Sequence, residues 1–430
     1  MSAARLRFHS TRAPWHSILT GLEACHRFKA EPDSMRQALV ASVCLAVSAP
    51  IAFAQSSGVQ VYGKLYPFLL QERGSGASAA GTTLSPITNG SADGTNALGS
   101  TTGMASGNSR FGFRGSEDLG SGLRAIWQIE SLVVVDHGGG QISGRDSYLG
   151  LASGFGTLRL GNMDTIFKEY GDTLRFLGVS SGTWMSSSDM LRKVGFGTSS
   201  ASSFHLRRPN SAVYESPRIA GLQLGAQWSS NEAKTATRDP QVLSLGLRYD
   251  AGPLYLAIAH EIHDDLFGGS QNAPPVRRNT NDPSVNSRDQ ATQATIEYRF
   301  GKGHRIEFDV IRKDYKENTD KAGRFRHYTN NAFMVAIENR WGGGWRTALS
   351  YVKSLQGSCD LVDAGCSTDG LDGSKITAGA AYYLSARTYL FGAVGRLVNG
   401  YSARFSSSEF GNPNPGEDLA QASLGISHSF

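Results

Sequence analysis

The 430-residue chain is 40% apolar and 18% charged, a composition open to two soluble domains or to one large sheet structure. Its formal charge of +5 is unevenly placed: six of the 42 basic and three of the 37 acidic residues lie in residues 1–54, and residues 55–430 carry only +2. That leaves no electrostatic case for nucleic acid as a partner.

Residues 1–34 show no apolar periodicity and read as a non-native leader or a misassigned start. At Met35-Arg36-Gln37 the character changes: an apolar run from Ala38 to Val47 leads to Ala49-Pro50-Ile51-Ala52-Phe53-Ala54. A charged start, an apolar stretch and a small-x-small exit make 35–54 a secretory signal peptide, with cleavage expected after Ala54. Residues 55–430 contain no run of 18 apolar residues, so a membrane-spanning helix is not expected there. The remaining way to span a membrane is a closed barrel.

Short alternating segments then recur down the chain, at 58–70, 107–115, 123–132, 145–151, 157–163, 207–216, 222–229 and 241–250. They continue at 253–261, 289–300, 304–313, 331–341, 344–354, 373–384, 387–397 and 418–430. One is Leu123 to Glu130, with Leu123, Ala125, Trp127 and Ile129 on one face and Arg124, Gln128 and Glu130 on the other. Lipid suits the first set and water the second. Links between segments alternate in length. Gly154-Phe155-Gly156, Gly301-Lys302-Gly303 and Gly342-Gly343 are short, whereas 71–106, 164–206, 262–288, 314–330, 355–372 and 398–417 are long. This segregation predicts an all-β protein: a transmembrane antiparallel β-barrel of about 16 strands, with short periplasmic turns and long extracellular loops. Aromatics near strand ends are expected at the lipid headgroups: Tyr62, Tyr66, Tyr298, Phe300, Trp341, Trp345, Tyr382, Tyr383, Tyr389 and Phe391.

Cys359 and Cys366 lie seven residues apart in a Gly/Asp-rich link of an exported chain, which predicts a local disulfide. The histidines are scattered, with no nucleophile and base in a recognisable context, so no enzyme is expected. Phosphate-loop, zinc and EF-hand patterns are missing from residues 55–430, and no metal or cofactor is implied.

Three stretches carry a resemblance: Val61-Tyr62-Gly63; the block Ser109-Arg110-Phe111-Gly112-Phe113-Arg114-Gly115-Ser116-Glu117-Asp118-Leu119-Gly120-Ser121-Gly122-Leu123-Arg124-Ala125; and Leu149-Gly150-Leu151 with Gly154 to Gly161. Together with the terminal Phe430 they resemble the Gram-negative general porins, most closely the betaproteobacterial trimeric group, across residues 55–430. The resemblance implies a homotrimer in outer-membrane lipid that passes ions and small hydrophilic solutes. It also implies a Phe430 that serves as the signal to the barrel assembly machinery. A channel selective for organic acids is the alternative. The group usually carries Asp where this chain has Tyr66, and the adjoining Pro67 removes a hydrogen-bond donor from the first strand.

The same resemblance implies an inward-folded third loop, about 164–206, facing arginines on the wall. The wall candidates are Arg110, Arg145, Arg207 and its neighbour Arg208, which alternation would turn outward if Arg207 faces the lumen. The loop acids are Asp164, Glu169, Asp172 and Asp189, set against Lys168, Arg175, Arg192 and Lys193. A loop so balanced, opposite an arginine wall, predicts weak anion preference.

Overall fold

The computed structural model describes residues 58–78, 82–85, 94–171, 173–179 and 183–430. The leader at 1–34, the signal segment at 35–54 and Asp172 lie outside them.

The described residues form sixteen antiparallel strands closed into a barrel. Strands 1 and 2 each come in two pieces, Gln60–Leu65 with Pro67–Ser75 and Ser100–Ser106 with Arg110–Gly120. Strands 3 to 8 are Leu123–Val133, Ser147–Ser153, Gly156–Asp164, Arg207–Glu215, Leu222–Ser230 and Gln241–Ala251. Strands 9 to 12 are Leu254–Asp264, Ser287–Phe300, His304–Glu317 and Phe325–Arg340. The last four are Trp345–Ser354, Gly373–Tyr383, Thr388–Asn399 and Asp418–Ser429. Strand 16 pairs back onto strand 1, with Lys64 opposite Ser429 and Phe68 opposite Gly425, so the sheet has no free edge.

Pro67 falls at the break in strand 1. Tyr66 there leaves the ladder and donates its N–H to the Ser109 hydroxyl at 2.8 Å, beside the matching break in strand 2. Strand 2 starts at Ser100 rather than 107, which cuts the expected first loop to 76–99, and long strands 11 and 12 reduce the sixth loop to 318–324. Two further long links, 134–146 and 231–240, occupy the gaps between the expected segments 123–132 and 145–151 and between 222–229 and 241–250.

Outward positions are apolar where strands 7 and 8 pair: Leu224 faces Leu247 and Trp228 faces Leu243, all exposed to lipid. Five of the ten aromatics expected at the headgroups do face outward: Tyr298, Phe300, Trp341, Trp345 and Tyr382. The others turn inward. Tyr383 must, as the neighbour of Tyr382 on a period-two strand, while Tyr66, Tyr389 and Phe391 are buried together, Tyr66 stacking on Phe391 at 4.4 Å.

The barrel is not uniformly polar within. Phe167, Leu174, Met190, Leu191, Phe196 and Phe204 of the third loop pack on Ile311, Tyr315, Phe325, Tyr328 and Met334 of the far wall. At about 1.5–3 kcal/mol for each buried large side chain, this contact fixes the loop to one side of the lumen. The polar cavity the loop leaves is lined by residues of strands 2, 3, 5 and 8.

Candidate pore constriction

The third loop leaves strand 5 at Asp164 and enters a short helix, Ile166–Tyr170, whose N-cap Thr165 accepts the Lys168 N–H through its hydroxyl at 3.3 Å. Gly225 and Gly246 let this helix touch the wall. A β-carbon at either would lie 2.7 Å from the Tyr170 ring or its hydroxyl. Wall side chains then take up the loop's backbone groups. Gln227 accepts the Ile166 N–H at 3.0 Å, Ser244 that of Phe167 at 2.9 Å, and Glu307 that of Leu174 at 2.6 Å. Lys64 donates to the Gly178 carbonyl at 2.9 Å, and Tyr389 to that of Leu177 at 2.9 Å. Lys313 donates to Leu191 and Lys193 at 2.9 and 2.8 Å, and Lys375 to Trp184 and Ser186. A backbone carrying so many unpaired groups could be held at depth only by such partners.

Between this loop and the wall lies a polar cavity of about 310 Å3. It is lined by Arg110, Arg145, Lys168, Arg175 and Arg248 against Glu130, Asp146, Asp164 and Glu169, with Asn108. Cations outnumber carboxylates by five to four. Glu130 bridges two of the wall arginines, reaching Arg110 Nε at 3.4 Å and Arg145 Nε at 2.5 Å, and it accepts the Tyr62 hydroxyl at 3.0 Å. Glu215 repeats the pattern with Arg159 at 2.6 Å and Arg248 at 3.2 Å. Farther round, Glu338 takes Arg305 at 3.0 Å and also Arg346. Glu130 and Glu215 thus each serve two guanidiniums, whereas Arg305 of the third group also meets Glu297 at 3.4 Å.

The sequence candidates divide. Arg110 and Arg145 line the cavity, as do Asp164 and Glu169. Arg207 faces inward just behind it, held at 2.7 Å by both Asp146 and Asp164, and Lys168 meets Asp164 at 3.0 Å. Arg208 does not line the cavity and does not turn fully outward. The strand bulges beside it, with Asn210 at φ 51°, and its half-buried guanidinium feels Glu261 instead. Asp189 is no part of the cavity either: it accepts Lys375 at 2.8 Å and so belongs to the loop's anchorage. Arg192 is likewise buried, donating to Gln293 at 2.8 Å.

Arg175 differs from all of these. It is exposed at the cavity and takes part in no ion pair among the described residues. Glu169 of the same cavity is half-buried, and its carboxylate accepts no hydrogen bond among the described residues. Burial pushes its carboxyl up to about 7; Arg159 opposes this, and the carboxylates of Glu215, Asp146 and Asp164 add to it.

Sequence reasoning missed Lys64, Arg159, Arg248, Arg305 and Arg346. Alternation carried a signal for four of them: Arg159 sits between lipid-facing Leu158 and Leu160, Arg248 follows Leu247, Arg305 precedes Ile306 and Arg346 follows Trp345. On the extracellular side, Cys359 and Cys366 are joined as a disulfide with Cα atoms 5.8 Å apart.

A family model described as Gram-negative porin matches residues 40–402. Major outer membrane protein P.IB of Neisseria meningitidis serogroup B is 27% identical over 302 residues, which cover 70% of this chain and 79% of that protein. An outer membrane porin protein of Bordetella pertussis is 25% identical over 317 residues, covering 66% of this chain and 75% of the relative. Among solved structures, the anion-selective porin from Comamonas acidovorans aligns with a TM-score of 0.63 at 22% identity, over 87% of this chain and all of its own. At that identity the likeness is one of fold.

Proposed function

The chain belongs to the Gram-negative porin family of outer-membrane diffusion channels, and we propose that its constriction passes small anions in preference to cations. The observation that carries this reading is Arg175, an exposed guanidinium that takes part in no ion pair among the described residues and brings the cavity to five cations against four carboxylates. In a narrow passage with low-dielectric walls, a surplus of one or two charges sets the local ion population. Arginine holds that charge at any working pH. The fold shared with an anion-selective porin agrees with the sign.

Arg110, Arg145 and Arg207 form the basic wall in this reading, and Asp164 and Glu169 temper it. Their ion pairs both shape the wall and steady the loop. Residues 35–54 direct export, Phe430 presents the last strand to the assembly machinery, and three copies associate in the outer membrane.

Reconstitution into a planar bilayer tests the reading. Stepwise openings in threes are expected, with a conductance proportional to salt concentration. Conductance that saturates on addition of a single carboxylate solute would favour an organic-acid channel instead.

A further inference from the structure

The cross-strand register of strands 1, 2 and 3 sets Tyr62, Gly112 and Glu130 in one inward row: Tyr62 stands opposite Gly112, and Gly112 opposite Glu130. Two strand spacings of about 4.8 Å separate the outer two, so their side chains can meet only across an unfilled middle position. Gly112 leaves it unfilled. A β-carbon there would lie 2.8 Å from the Tyr62 Cζ and hydroxyl. The Tyr62 ring therefore lies across the glycine, and its hydroxyl donates to Glu130 Oε2 at 3.0 Å. The Arg114 guanidinium lies over the same ring at 4.8 Å and is itself fixed by Gln60, which accepts its Nε–H at 2.9 Å.

Glu130 is buried and faces three donors. Its Oε1 takes Arg145 Nε at 2.5 Å, whereas Oε2 takes the Tyr62 hydroxyl and stands 3.4 Å from Arg110 Nε, beyond the ordinary N–H to oxygen distance. Arg110 turns instead to Asn108, donating from Nη1 to the Asn108 carbonyl and Oδ1 at 3.0 Å each. Both acceptors are neutral, so they orient the guanidinium without cancelling its charge. The tyrosine hydroxyl decides this division. A carboxylate oxygen relieved of it would draw Arg110 in to a charge-assisted hydrogen bond of about 2.7–2.9 Å.

We propose that Tyr62 is a positioning residue for anion passage: its hydroxyl holds Glu130 toward Arg145 and so keeps Arg110 loosely matched, with its charge available to the lumen. This rests on the anion preference argued above and adds the residue that sustains one of its wall arginines. Two of the stretches that stand out in the sequence, Val61-Tyr62-Gly63 and the block around Gly112, thereby meet in one contact. The glycine makes room for the ring, and the ring carries the hydroxyl to the carboxylate two strands away.

The test is the anion-to-cation permeability ratio of the full reconstituted barrel in dilute potassium chloride, with heat-modified gel mobility confirming that each variant is folded. Tyr62→Phe keeps the ring over Gly112 and removes only the hydroxyl, and the ratio is expected to fall about twofold. Arg110→Gln lowers the ratio by itself, and adding Tyr62→Phe to it should change nothing more, because the hydroxyl acts through Arg110. Gly112→Ala crowds the hydroxyl while keeping every charge and should reproduce the Tyr62→Phe value. Tyr382→Phe, on the lipid face, should match the parent. In molar salt, where the screening length is about 3 Å, the conductance of Tyr62→Phe should equal that of the parent. An unchanged ratio in folded Tyr62→Phe overturns the proposal. So does an equal fall in the Arg110→Gln background, or a loss of conductance that persists in molar salt. The parent ratio alone tests the anion reading, whereas the coupling of Tyr62 to Arg110 is measured whichever ion the parent prefers.

Discussion

Gly63 and Phe430 close the barrel upon each other. Gly63 donates its N–H to the Phe430 carbonyl at 3.0 Å, Phe430 returns the bond at 3.1 Å, and a β-carbon on Gly63 would lie 2.3 Å from Phe430 Cζ. The ring occupies the space that a side chain would need. Gly63→Val is expected to cost about 1–3 kcal/mol and to lower the temperature at which the barrel loses its folded gel mobility. Adding Phe430→Ala should restore part of the loss, because the two residues share one space.

A second role is proposed for Phe430, as the mark read during assembly. Deleting it should sharply reduce the amount of barrel reaching the outer membrane in cells, while urea-unfolded protein still refolds in detergent. Equal losses in both settings would assign the residue a packing role alone.

Arg175→Glu exchanges a cation that is in no ion pair among the described residues for an anion and turns five cations against four carboxylates into four against five. The anion-to-cation permeability ratio is expected to fall about two- to fivefold and to lose its preference. Arg207→Gln should act more weakly on selectivity, because Arg207 is already matched by Asp146 and Asp164.

Glu169 gives the pore a pH dependence with a definite sign. With its carboxyl pushed up to about 7, it is ionised at pH 8.5 and neutral at pH 5.5, so the surplus positive charge grows as pH falls. Anion preference should rise over that interval. Glu169→Gln should hold the higher value throughout, and an unchanged pH profile in that variant would remove Glu169 from the constriction.

Lys375 joins the Trp184 and Ser186 carbonyls and Asp189 to the wall and is 2% exposed. Lys375→Met leaves the Asp189 carboxylate buried without its partner, at a cost of about 3–5 kcal/mol. Recordings should show frequent partial closures as the loop comes loose, with selectivity little changed.

Much of this was legible in the chain. Alternation at Leu123 to Glu130 placed Glu130 inside, and the block around Arg110 set the second strand and its wall arginine. The candidate site was harder to read, for physical reasons. Tyr389 and Phe391 suit a lipid headgroup layer as well as a buried cluster, and only their register decides. Arg208 breaks alternation because of a bulge that no propensity marks. Asp189 looks like any loop acid until Lys375, 186 residues away, is brought against it. The loop's packing did leave a trace: Phe167, Leu174, Met190, Leu191 and Phe204 are too apolar for a loop surrounded by water, and they announce a surface to cover.

The most direct test of the constriction is the zero-current potential across a planar bilayer holding the channel between concentrated and dilute potassium chloride. A net positive constriction predicts the sign set by chloride running down its gradient, moving toward zero in Arg175→Glu. A potential with the sign set by potassium, unaffected by that substitution, would contradict the account.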